Sequence, residues 1–207
     1  MRFEIISEGE TEKDSVAAFL KRWLDPQLSQ PVRIRVSDEN GFANVLRKIA
    51  RKAEAKLSAP GNEEIIGVFG LIDLYGPAFP DHAVTVNERY EWFKEEIERE
   101  VSDVRFRMHF AVHEFESWLL SDKSIFPRAI QDVWPANLRP PEQVNFNEPP
   151  AKLLNRLYRQ ATNRTYKKTV IGKQLFANLD PMTAVSKCTY LKAMLEDMLA
   201  MAKKRGL

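Results

Sequence analysis

Four carboxylates, Glu8, Asp73, Glu114 and Glu116, stand where strand-like apolar stretches give out, and together they are the residues best placed to do chemistry. Acids gathered at strand ends repel one another unless something positive lies between them. A hard divalent cation is the natural partner. Mg²⁺ takes few protein carboxylates and completes its shell with water and phosphate oxygens, and a pair of such ions supports in-line displacement at phosphorus. The chemistry to expect is Mg²⁺-dependent (or Mn²⁺-dependent) phosphodiester hydrolysis. Glu8, Asp73 and Glu116 would be its catalytic residues, with Glu8 as base or ligand, Asp73 as metal ligand, and Glu116 or Glu114 completing the metal set. A plainer account is open for each residue alone. Asp73 can cap a turn before Gly76, and Glu114 and Glu116 can be acids of a helix's first turn, where the helix dipole favours them.

The elements that must position these acids follow from the apolar pattern. Residues 2–7 read as a strand, since Phe3, Ile5 and Ile6 are strand formers. Ser7-Glu8-Gly9-Glu10-Thr11-Glu12 then hands over to a helix over about 12–24, with Val16, Phe19, Leu20, Trp23 and Leu24 at helical spacing. Gly9 allows the sharp turn. Ser7 or Thr11 can cap that helix, and Glu10 and Glu12 suit its positive end. Glu8 would lie before it, at the strand tip. Pro26 ends the helix. Val32 to Val36 alternate as a second strand, Asn40-Gly41 marks a turn, and Phe42 to Leu57 are helical. Ile65 to Ile72 form the most continuous apolar run, the pattern of a strand buried on both faces, and it ends at Asp73. A charged helix over 88–101 and a strand over 104–112 follow, the latter running into His113-Glu114-Phe115-Glu116. Strands alternating with helices through residue 120 predict a parallel three-layer α/β sheet. In such a sheet the strand tips share the carboxyl edge, where ligands bind.

The 207 residues allow one elaborated domain, or a domain with an appendage. The stretch 134–150, rich in Pro and Asn and without periodicity, reads as a linker or excursion between an α/β domain over 1–133 and a basic helical part over 151–207. With 31 Lys and Arg against 29 Asp and Glu, total charge says little about partners. Its distribution says more. From Ala151 to Leu175 the chain carries Lys152, Arg156, Arg159, Arg164, Lys167, Lys168 and Lys173 with no acid, interleaved with Tyr158 and Tyr166. That composition suits a phosphate backbone with stacking on exposed bases. Lys152, Lys167, Lys168 and Lys173 are the nucleic-acid-binding candidates, with Lys167 and Lys168 expected to be the most exposed. A solvated helix face, or a surface for an acidic protein, stays equally open. A single cysteine fits a reducing compartment. No stretch is long and apolar enough to span a membrane and the N-terminus does not read as a signal peptide, so a cytosolic chain is expected.

Other chemistries find little support. His113-Glu114 opens a zincin-like pattern, but Ser117 stands where the second histidine belongs. His109 and His113 read as satisfied structural histidines rather than zinc ligands. Gly172-Lys173 lacks the upstream glycine of a P-loop, and Cys188 reads as a small buried side chain.

Ser7-Glu8-Gly9-Glu10-Thr11-Glu12, Leu71-Ile72-Asp73-Leu74-Tyr75-Gly76 and His113-Glu114-Phe115-Glu116 resemble the motifs of the domain-of-unknown-function family 4276, regarded as related to the Toprim metal-dependent phosphotransfer domain. The resemblance implies a Toprim-like three-layer parallel sheet with an appended helical C-terminal part. It implies a strand-end glutamate, matched by Glu8, as general acid or base, and an Asp-x-Asp pair on metal whose first member matches Asp73. The second position is Tyr75, so Glu114 or Glu116 would supply the missing carboxylate, and Tyr75 would reach a metal-bound water or a phosphate oxygen. It also implies an ATPase partner and a place in defence against phage. A second reading keeps the scaffold without the catalysis, as a module that binds nucleic acid or a partner ATPase, and Tyr75 favours it.

Overall fold

In the computed structural model of the protein the elements run, in chain order, β1 (Arg2–Ser7), α1 (Glu10–Leu24), β2 (Arg33–Asp38), α2 (Phe42–Ser58), β3 (Ile65–Asp73), α3 (Val86–Glu98), β4 (Phe106–Ala111), α4 (Glu116–Leu119), α5 (Arg128–Asp132), α6 (Pro150–Thr162), a π-helical turn Lys168–Gly172, α7 (Lys173–Asn178), α8 (Pro181–Lys187) and α9 (Thr189–Lys204). The structure describes residues 1–8, 10–38, 42–74, 79–143 and 148–207, without the side chains of 10–14, 38 and 42–47. Gly9, Asn40-Gly41, Tyr75, Gly76 and the side chains of Glu10, Thr11 and Glu12, all singled out in the sequence, lie outside the described residues.

The apolar run becomes β3, buried along its whole length because helices cover both faces of the sheet. The described strands form one parallel sheet of order β2-β1-β3-β4. Side chains alternate between its faces. Phe3, Ile5, Phe69 and Leu71 pack with Phe19 and Leu20 of α1, Leu153 and Leu157 of α6, Phe176 of α7 and Leu195 and Met198 of α9. Ile6, Val68 and Ile72 pack on the other side with Ile49 and Ala53 of α2 and Phe93 and Ile97 of α3. The result is a three-layer α/β fold, and one outer layer consists of α1 together with the helices after residue 150. That layer lies close on the sheet. A Cβ at Gly67 of β3 would come within 2.6 Å of Met201 Cε in α9.

Local chemistry sets several boundaries. Thr85 and Glu88 form a reciprocal capping box, so α3 begins at Val86, two residues before the expected start. β4 begins at Phe106 rather than at Val104, which is 81% exposed. Residues 181–204 of the helical part form two helices. Asp180 caps α8 through the Met182 and Thr183 amides with Pro181 in the first turn, and extended backbone at Cys188 (φ −118°, ψ 97°) separates α8 from α9.

Candidate active site

Strand order brings the acids together. β1, β3 and β4 are consecutive neighbours, so their carboxyl ends share one edge. Asp73 closes β3 opposite Ala111 of β4, and alternation places it on the same sheet face as Phe69 and Leu71, under α1 and the C-terminal helices. Beyond β4 the chain reverses at His113, whose φ of 65° is left-handed, a conformation that non-glycine residues rarely take. The reversal carries Phe115 back over β3, and the Phe115 amide donates to Asp73 Oδ1 at 3.1 Å. Glu116 then opens α4 and is buried to 1% exposure.

The electrostatics of Asp73 report the cluster. Burial first, and then the negative charges of Glu8, Glu116 and Glu114, push its carboxyl well above the usual range, while the Lys168 ammonium pulls it down. The strongest of these charges is Lys168, and Glu8, Glu116 and Glu114 act against it. Lys168 Nζ stands 3.4 Å from Glu116 Oε2 and 5.9 Å from the centre of the Phe115 ring. The Tyr166 hydroxyl approaches Glu116 Oε1 at 3.5 Å. Burial, with Glu116 next, holds the Tyr166 phenol far above its usual pKa, so it stays a neutral donor.

The basic segment meets this edge at the π-helical turn, whose first residue is Lys168. Such turns insert an extra residue and recur at functional sites. Here the Ile171 and Gly172 amides both donate to the Lys167 carbonyl, at 2.7 and 3.3 Å. Gly172 gives the space, since a Cβ there would stand 2.8 Å from the Tyr166 hydroxyl. Lys168, expected among the most exposed residues, is instead half-buried with its ammonium among the acids. Lys167, on the opposite side of the turn, is exposed and lines a surface groove with Tyr158 and Arg164. Lys173 is exposed beside Lys168 and Phe115, and Lys152 is exposed on the first turn of α6.

Glu114 has a second attachment. Its Oε2 accepts from the Ala151 amide at 2.8 Å, at the N-terminus of α6, where the orphan amides and the dipole favour an anion. His113 is buried at 2%, and burial with Arg89 nearby lowers its pKa to about 4, so the ring is neutral at physiological pH. His109 is a structural histidine, as its sequence context implied. Tyr90 and Asp197 hold its two ring nitrogens at 2.8 and 2.9 Å. Cys188 is fully buried, and burial raises its thiol far out of the reactive range.

Carboxylate oxygens suit a hard cation, and Mg²⁺ needs only one or two of them when water and phosphate supply the rest. Among the described residues, no group of three or more His, Cys, Asp or Glu side chains is disposed as a ready metal cage. The hydroxyls of Ser7 and Ser117, one residue along the chain from Glu8 and Glu116, are buried without a hydrogen-bond partner among the described residues. Such hydroxyls fit an edge that receives polar ligands. Sequence reading placed Tyr166 in the basic run as an aromatic for exposed bases, and missed both its approach to Glu116 and the inward turn of Lys168.

The model of a family described as "Domain of unknown function (DUF4276)" matches residues 7–199 of the chain. Two solved structures are similar to it, both of the C-terminal region of the Xanthomonas campestris pv. campestris OLD protein. The one phased with platinum has 17% identity and a TM-score of 0.46, covering 100% of this chain and 97% of that one. The one phased with mercury has 16% identity and a TM-score of 0.47, covering 100% and 98%. Among curated proteins there is no match. No helix among the described residues is long and apolar enough to cross a membrane.

Proposed function

We propose, taking as premise that this chain belongs to the DUF4276 family, that it is a Mg²⁺- or Mn²⁺-dependent nuclease of Toprim type. The observation that carries this reading is the crowding of Glu8, Glu114 and Glu116 around a buried Asp73 at the carboxyl edge of a parallel sheet. Structural acids are normally buried with cations to match. Carboxylates gathered at one edge repel one another, and a divalent ion relieves that repulsion. Asp73 and Glu116 would hold the ion, with Glu114 as a further ligand when it leaves the α6 N-terminus. A bound ion supplies charge neutralisation at the phosphate oxygens and a more acidic water. Glu8, at the tip of β1, would take the proton of the attacking water or join the ligands. The Phe115 amide keeps the Asp73 carboxylate oriented. Lys168, already among the acids, would turn towards the incoming phosphate. Lys152, Lys167 and Lys173 would meet the backbone further along the strand. An ATPase partner and a role in phage defence belong to this reading through the family resemblance alone.

The close Lys168–Glu116 pair favours one second reading, a binding module in which lysine permanently does the work of a metal. The test is cleavage of labelled single- and double-stranded DNA and RNA with Mg²⁺, Mn²⁺ or EDTA. Metal-dependent cleavage that disappears in Asp73→Asn and Glu116→Gln supports the nuclease. Binding without cleavage under every condition supports the module.

A further inference from the structure

On the far side of His113 from Glu114 lies a cleft of about 620 Å³ that the cluster chemistry does not use. Its walls come from the start of α3 (Thr85, Asn87), the segment Arg139 to Gln143, and the α8–α9 junction (Lys187, Thr189, Tyr190). The volume falls within the about 300–1,000 Å³ of small-molecule sites. Two cations stand in it. Arg139 is exposed and makes no ion pair among the described residues, and the exposed Lys187 rests its ammonium on the Ser121 carbonyl. The acid in its lining, Glu142, is committed elsewhere, since its two oxygens accept the Tyr190 and Leu191 amides at 2.9 and 3.2 Å and close the N-terminus of α9.

The aromatic wall is rigid. Tyr190 stacks on Tyr90 at 4.5 Å between ring centres, and its hydroxyl donates to Asn87 Oδ1 at 3.3 Å. Tyr90 is in turn pinned through the buried His109 to the partly exposed Asp197, a chain of hydrogen bonds that ties α3 through β4 to α9. A fixed ring, an amide beside it and two cations form the set that recognises a nucleotide: stacking for the base, hydrogen bonding for its edge, charge for its phosphate. His113 is the partition between this cleft and the acids, because it lines the one and immediately precedes Glu114 of the other.

We propose that this cleft holds one unstacked nucleotide of a nucleic-acid strand, adjacent to the phosphodiester presented to Glu8, Asp73 and Glu116. Its base lies against Tyr190 and its phosphate on Arg139 and Lys187. The placement rests on the nuclease reading; the binding of a nucleoside phosphate does not. Fluorescence anisotropy in EDTA with a labelled tetranucleotide, competed by free AMP and dCMP, separates the two. The expected result is that Arg139→Glu weakens tetranucleotide binding at least about tenfold, two cations being desolvated against one phosphate. Tyr190→Leu should weaken it similarly, with Lys203→Ala, at an exposed position near the end of α9, leaving the affinity unchanged. Arg139 is exposed, so its variant folds even if Tyr190→Leu does not. Photocrosslinking of a 5-iodouridine strand to Tyr190 gives a second readout. Unchanged tetranucleotide affinity in Arg139→Glu and no crosslink at Tyr190 would overturn the inference, even in a protein that cleaves. Cleft-dependent binding in a protein that never cleaves keeps the site and removes the nuclease. Equal affinity for AMP and the tetranucleotide would replace the strand by a free nucleotide and overturn the inference as stated.

Discussion

Glu4 and Asp73 are both buried acids of one sheet, 5% and 8% exposed, and they are treated in opposite ways. Glu4 accepts from Arg2 at 2.7 Å and from Lys56 at 2.9 Å. Arg2 goes on to Glu64, which also meets Arg33. Burial pushes the Glu4 carboxyl up, but the hydrogen bonds from Lys56 and Arg2 outweigh it and hold the pKa below the usual range. Asp73 accepts from the Phe115 amide, and burial with the charges of Glu8, Glu116 and Glu114 raises its pKa against the pull of Lys168. Glu142 lies between these extremes. Amides at the start of α9 satisfy its oxygens, no cation among the described residues does, and burial lifts its pKa to about 7. The difference teaches where stability is the object. At Glu4 two cations hold the charge and lower the pKa, and at Asp73 burial and neighbouring acids raise it against the pull of Lys168.

The sharpest break of that comparison is Asp73→Asn. Cleavage should fall at least about 1,000-fold, the scale of removing one electrostatic interaction with the transition state. Thermal stability in EDTA should hold or rise, because a repelled buried charge is removed. A variant that melts much lower than wild type would make Asp73 a structural acid like Glu4.

Glu142 supplies the next effect through pH. A carboxyl whose folded pKa lies above its unfolded value binds more protons in the native state. Its contribution is therefore complete below about pH 4.5 and is lost as pH rises through about 7. Wild type should lose up to about 3 kcal/mol between pH 5 and 8 from this group. Chemical denaturation at the two pH values, with Glu142→Gln as the flattened control, measures it. An equal slope in both proteins would assign the pH dependence elsewhere.

Glu4→Gln should cost about 1–3 kcal/mol of stability, by loss of charge-assisted hydrogen bonds to two cations, and leave metal-dependent activity in place. A large loss of activity at unchanged stability would erase the distinction between the two ends of the sheet. The smallest effect belongs to the exposed lysines. Lys152→Ala with Lys167→Ala should reduce the slope of log affinity for nucleic acid against log salt by about 1–2, one for each phosphate no longer neutralised. An unaltered slope would place the strand on another face.

The elements that position the acids were legible because they depend on local pattern. The run Ile65 to Ile72 announces a doubly covered strand, and a covered parallel sheet puts strand tips on one edge. What pattern cannot carry is the path of the chain after residue 150. The apolar faces of α6, α7 and α9 signal burial but not against what, and only the fold shows them sharing a core with Phe3 and Phe69. Lys168 illustrates the consequence. In sequence it is one more basic residue beside Lys167, and the extended backbone at Lys167 (φ −113°, ψ 107°), just before the π-helical turn, is what adjacent residue types do not announce. The left-handed turn at His113 was equally hidden, since nothing in a histidine's type announces a positive φ.

Mn²⁺ titration of thermal stability tests the central claim most directly, because an ion that binds only the native state raises its melting temperature with concentration. Wild type should stabilise progressively with Mn²⁺, Glu4→Gln should show the same increment from a lower starting point, and Asp73→Asn and Glu116→Gln should show none. An increment that is absent in wild type, or equal in wild type and Asp73→Asn, would contradict a metal site at the carboxyl edge.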